Sequence, residues 1–160
     1  MFEAMKSDET WGKLADVNES ERETQMRSRY MELAGLPEAE RVSRLEAMVN
    51  SEYALPDEKL RPFTKSRLRT WLGLDADSAK VVIRSYDAVM DKMPGGMAMR
   101  QVNTVQTVAR QFSHEEQVRL HLLVPAVFVS RATEIATGRS ATGAETPRSG
   151  GKKAWWAFWK

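Results

Sequence analysis

Apolar residues recur along this chain at steps of three and four, the spacing that lines one face of an α-helix. Met26, Tyr30, Leu33 and Ala34 form one such face. It is opened by Ser20-Glu21-Arg22-Glu23, with hydroxyl and carboxylate three apart as in a capping box, and closed by Gly35. Leu36-Pro37 leads into a second face of Val42, Leu45, Met48 and Val49, which predicts a helical hairpin with a short turn. Leu55-Pro56 and Arg61-Pro62 disfavour helical geometry ahead of each proline, so residues 51–62 read as a connector with at most one helical turn.

From Phe63 the pattern resumes. Leu68, Trp71 and Leu72 make an apolar face ended by Gly73, and Asp75 is placed to cap the next helix. That helix carries Ala79, Val82, Ile83, Tyr86, Val89, Met90 and Met93 until Pro94-Gly95-Gly96 breaks it. Ala98, Val102, Val105, Ala109 and Phe112 line another, after which Ser113 and Glu116 form a capping box. Val118, Leu122 and Leu123 lead to Pro125, where a kink or restart is predicted, and Val127, Phe128, Ala132 and Ile135 continue to Gly138. No stretch alternates with a period of two, so the fold class is all-α, a compact bundle of about five or six short helices.

The pattern divides the chain into four parts. Residues 1–19 form an acidic N-terminal arm or short helix, with Phe2, Met5, Trp11 and Leu14 among acids. Residues 20–136 are the helical domain. Residues 137–151, rich in Gly, Ser, Thr, Ala and Pro, read as a flexible linker, and residues 152–160 as an aromatic and basic docking tail.

Charge sharpens this division. Arg139, Arg148, Lys152, Lys153 and Lys160 face the single acid Glu145, so the last stretch is basic while the preceding residues carry a slight negative excess. Zero cysteines exclude disulfides, thiolate metal sites and a cysteine nucleophile. No apolar run approaches the roughly 20 residues needed to span a bilayer, and the acidic opening is unlike a signal peptide. The expected location is cytoplasmic, peripheral to a membrane where the tail engages one.

His114 and His121 are seven apart, which on a helix separates them by roughly 10 Å, too far to share one ion. Asp75 and Asp77 begin like a calcium loop, but Lys80 and Tyr86 stand where glycine and a bidentate acid belong. Gly95-Gly96 and Gly151-Lys152-Lys153 lack the spacing of nucleotide loops. No catalytic, cofactor or metal motif emerges, and the chain reads as noncatalytic, with no cofactor called for. Lys59, Arg61, Lys65, Arg67 and Arg69, interleaved with Phe63 and Trp71, form a candidate nucleic-acid contact, cations holding phosphates while an aromatic stacks on a base. Against this, Leu68, Trp71 and Leu72 look like core, with the cations on the solvated side.

The segment 152–160 is the feature least explained by folding alone. Trp155, Trp156, Phe158 and Trp159 crowd into five positions, flanked by Lys152, Lys153 and Lys160. In composition these residues resemble short cationic tryptophan-rich membrane peptides. Burying four aromatics of about 150–250 Å² each offers about 15–25 kcal/mol gross, most of it offset by immobilisation on binding. Aromatics anchor protein interfaces, and tryptophan with lysine suits an anionic membrane surface. The expected function is a noncatalytic adaptor or accessory subunit, tethered through this tail to a protein assembly or a membrane surface. The alternative is a small nucleic-acid-binding regulator using residues 59–69.

Overall fold

The computed structural model describes residues 7–130, and every regular element among them is helical, with no strand. A 3-10 helix, Trp11–Asp16, precedes α1 (Glu19–Ala34), α2 (Glu38–Glu52), α3 (Asp57–Gly73), α4 (Ala76–Lys92), α5 (Gly95–Ala109) and α6 (His114–Leu123). A π-helical turn, Ala126–Ser130, follows. The end of the expected helical domain, the linker 137–151 and the tail 152–160 lie outside the described residues. The chain divides into two units, Met1–Ala98 and Met99–Lys160.

In the first unit α1 packs on α3 and α4, α2 packs on α4, and the 3-10 helix packs on α2 and α3. The predicted apolar faces are the buried ones: Met26, Tyr30 and Leu33 of α1, Leu45, Met48 and Val49 of α2, and Val82, Tyr86, Val89 and Met90 of α4. A row of edge-on aromatics runs through this core. Ring centroids lie 5.6 Å apart for Trp11 and Tyr30, 5.8 Å for Tyr30 and Trp71, and 5.1 Å for Trp71 and Tyr86.

Several boundaries differ from the expectation. The cap of α1 is Asn18, whose side chain accepts from the Glu21 amide at 2.8 Å, so Ser20 and Glu23 lie inside the helix. Helix α3 begins at Asp57 and continues through Pro62, which replaces the expected connector. Leu60 and Phe63, on either side of Pro62, are fully buried, and their packing holds the helix together where the proline removes an amide. Pro62 and Glu58, whose carbonyl loses that amide, both lie on the exposed side. The break at Pro94 is narrower than expected, because Gly95 and Gly96 already open α5.

Of the segment 1–19, expected as an arm or short helix, the described part holds the short 3-10 helix Trp11–Asp16. Trp11 is buried against Tyr30 and Phe63, and the Gly12 amide donates to Ser51 Oγ at 2.7 Å. A Cβ at position 12 would stand 2.7 Å from the Ser51 carbonyl oxygen, so glycine alone permits this approach.

In the second unit, Ser113 and Glu116 form the predicted capping box on α6. Ahead of Pro125 the chain leaves helical geometry at Val124 (φ −128, ψ 58) and restarts as the π-helical turn. Gln106 Nε2 donates to the Val127 carbonyl at 3.3 Å, tying that turn to α5.

Candidate functional site

Two charged residues occupy positions that helical periodicity assigns to the core. Glu52 follows Met48 by four on α2, and Arg67 lies four after Phe63 and four before Trp71 on α3. Both are fully buried. Arg67 Nε donates to Glu52 Oε2 at 2.9 Å, and the Tyr86 hydroxyl donates to the same oxygen at 3.1 Å while lying 3.3 Å from the Tyr53 hydroxyl. The guanidinium carbon sits 4.7 Å from the Trp71 ring centroid and 4.6 Å from that of Tyr86.

Electrostatics in this cluster follow from burial. Loss of water pushes the Glu52 carboxyl above its ordinary range, against the pull of Arg67 and the Tyr86 hydrogen bond. Burial works against the Arg67 cation too, yet Tyr86 and Glu52 outweigh it and hold the guanidinium charged. Burial raises the Tyr30 and Tyr86 hydroxyls well above the usual tyrosine value. Glu52 Oε1, Arg67 Nη2, the Tyr30 hydroxyl and the indole nitrogens of Trp11 and Trp71 are buried without a hydrogen-bond partner among the described residues. With every member sealed from solvent, the cluster has no face to offer a substrate. It links three helices, α2 through Glu52, α3 through Arg67 and α4 through Tyr86.

A second network fastens Asp8 and the 3-10 helix. Asp8 is buried and accepts from Arg29 at 2.6 Å and from Arg44 at 2.8 Å, and Arg44 also reaches Glu32 at 2.9 Å. The Arg44 hydrogen bond holds the Glu32 carboxyl below its ordinary value. Arg22 donates to the Val17 carbonyl at 3.1 Å and through Nε to Ser66 Oγ at 2.9 Å, closing the 3-10 helix onto α1 and α3.

The fold divides the basic stretch. Arg67 is consumed in the buried pair, and Phe63 and Trp71, the aromatics expected to stack on bases, are core residues. Lys59 pairs with Asp16 at 2.9 Å, and Arg69 pairs with Glu23 at 3.0 Å and Glu19 at 3.3 Å. Arg61 is exposed and Lys65 half-buried. The physical reason is helical geometry. Arg67 lies about 200° around the axis from both Lys65 and Arg69, so it turns inward while Arg61, Lys65 and Arg69, at steps of four, share the outer side of α3.

The remaining candidates place as follows. Asp75 caps α4 through the Ser78 amide at 3.0 Å, and that hydrogen bond holds its carboxyl below the usual value. His114 and His121 are exposed on α6, and the His121 ring stacks on Phe128 at 4.1 Å. Among the described residues no group of three or more acids and histidines converges on a metal site. A shallow hollow of about 460 Å³ lies along α2 and the end of α4, lined by Glu38, Val42, Ser43, Glu46 and Lys92. It is open to solvent and gathers no convergent set of reactive groups. The residues expected to dock, Lys152, Lys153, Trp155, Trp156, Phe158, Trp159 and Lys160, lie outside the described residues.

The Glu52–Arg67 pair escaped the sequence reading, although its signal was present as two charges standing in the apolar register of α2 and α3. Compared with protein-family models, curated proteins and solved structures, the chain matches none.

Proposed function

We propose that this chain is a noncatalytic helical adaptor or accessory subunit, held to a larger protein assembly or to a membrane surface by residues 152–160. The observation that carries the reading is compositional: three of the five tryptophans and a phenylalanine stand in the last six residues, among lysines. The first unit supports it indirectly, because its aromatic row is already interlocked through Trp11, Tyr30, Trp71 and Tyr86. Its buried charges also pair with one another. The alternative through residues 59–69 loses weight, since Lys59, Arg67 and Arg69 are engaged with acids of the same chain.

The experiment replaces Trp155, Trp156, Phe158 and Trp159 with serine in the full chain and compares association with the parent. Sedimentation with lipid vesicles and pull-down of protein partners are run side by side. Loss of association in either assay is expected, and unchanged association in both refutes the tether.

A further inference from the structure

We infer that the core of the first unit holds an ordered internal water, seated between Glu52 Oε1, Arg67 Nη2 and the Tyr30 hydroxyl. This stands independently of the tether. Arginine meets a carboxylate most completely as a fork, with two parallel N–H donors on its two oxygens. Here the fork is half closed. Arg67 Nε reaches Glu52 Oε2 at 2.9 Å, while Nη2 and Oε1, the second donor and the second oxygen, are buried without a hydrogen-bond partner among the described residues. Nη2 shares the guanidinium carbon with Nε, and Oε1 shares the carboxyl carbon with Oε2, so the unmet donor and the unmet acceptor are neighbours. Tyr30 brings a third such group. Its hydroxyl is buried and likewise unpartnered, and its ring packs edge-on to Trp71 at 5.8 Å. The Arg67 guanidinium carbon lies 4.7 Å from the centroid of that same indole. Glu52 and Arg67 are the charges that act most strongly on the Tyr30 hydroxyl.

The chemistry of the three groups selects the ligand. Buried polar groups in folded proteins are almost all hydrogen-bonded, because burying one unmet loses its bonds to water without return. The ionised Glu52 Oε1 calls for a donor, Arg67 Nη2 for an acceptor, and a tyrosine hydroxyl takes either. Only a molecule that both donates and accepts serves all three. A cation would stand against the guanidinium and an anion against the carboxylate, so the ligand is neutral. Enclosed by the interlocked rings of Trp11, Tyr30, Trp71 and Tyr86, it is also small. Water fits, with the two to four polar partners that internal waters have. Accepting from Nη2, donating to Oε1 and bonding the Tyr30 hydroxyl, it closes the fork through one bridging oxygen. It also ties α1 into a cluster whose direct hydrogen bonds join α2, α3 and α4.

Water-selective NOE and ROE spectroscopy on the nitrogen-15-labelled full chain tests this, read at Arg67 Hε, which the bond to Glu52 protects from exchange. The expected result is a cross-peak from water with the sign of a bound molecule. Oxygen-17 relaxation dispersion then counts the long-lived waters in the parent, in Tyr30→Phe and in Glu52→Met/Arg67→Met. The double variant is expected to hold fewer than the parent, and Tyr30→Phe to release its water faster. A parent without the water cross-peak at Arg67 Hε overturns the inference, because the fork then closes directly from Nη2 to Oε1. A folded double variant with the parent's count overturns it as well, and if that variant does not fold, the cross-peak in the parent decides. Release from Tyr30→Phe at the parent's rate overturns the three-point site.

Discussion

Replacing Arg67 with methionine isolates the energetic role of the buried cluster. Methionine keeps an unbranched apolar stem against Trp71 and Tyr86 but removes the cation, leaving the Glu52 carboxylate with the Tyr86 hydroxyl alone. With Nε and Oε2 2.9 Å apart and charge centres about 4 Å apart, an effective dielectric of about 20 gives roughly 4 kcal/mol of attraction. That agrees with the roughly 3–5 kcal/mol lost when one member of a buried pair is deleted. The assay is urea unfolding followed by far-ultraviolet circular dichroism, with the midpoint compared at equal slope.

The pH dependence distinguishes electrostatics from a packing defect. Burial raises the Glu52 carboxyl above its ordinary 4.5, so the folded state holds that proton more tightly than the unfolded chain. The corresponding stability is fully present below the unfolded value and lost as pH rises through the folded one. Removing Arg67 takes away the largest influence that lowers the folded value, so the folded value climbs and the window widens upward. The deficit of Arg67→Met should therefore shrink as pH is lowered from about 8 to about 5, and Glu52→Met/Arg67→Met should recover most of it. A deficit below about 1 kcal/mol, or one that is flat across that range, refutes the reasoning.

Three further predictions concern the ends of the first unit's helices. Gly12→Ala should destabilise by about 1–3 kcal/mol, because its new Cβ falls 2.7 Å from a backbone oxygen; urea unfolding measures it. Asn18→Ala should lose about 1 kcal/mol and Ser20→Ala a few tenths, which a paired comparison of midpoints checks. Asp8→Asn leaves Arg29 and Arg44 without their shared carboxylate, and about 2–4 kcal/mol should be lost, seen as faster proteolysis near the N-terminus.

The helices were legible because their cores are periodic. Val82, Tyr86, Val89 and Met90 are buried as their spacing requires, and the breaks at Gly35, Gly73 and Pro125 fall where backbone chemistry puts them. Departures came where tertiary packing outweighed a local preference. Pro62 stays inside α3 because Leu60 and Phe63 are anchored on either side of it. The anchoring of Trp11 is not legible locally, because its partners, Tyr30 and Phe63, are distant in sequence. Arg67 stands among neighbouring cations in the sequence, and helical phase, four after Phe63 and four before Trp71, places it inside.

The burial of Trp11 has a consequence for the order in which this chain can be built. At about 5–20 residues per second, its partner Phe63 leaves the ribosome about 3–10 seconds after Trp11 does. Until then an indole destined for the core lacks Phe63, and Arg29 and Tyr30 are the ring neighbours that emerge first. The acids around it, Asp8, Glu9, Asp16 and Glu19, keep the nascent segment soluble while it waits. Completion comes late, when α3 emerges with Phe63 and then Ser66, the hydroxyl that Arg22 grips. The 3-10 helix Trp11–Asp16 is thus closed over only once α3 has emerged.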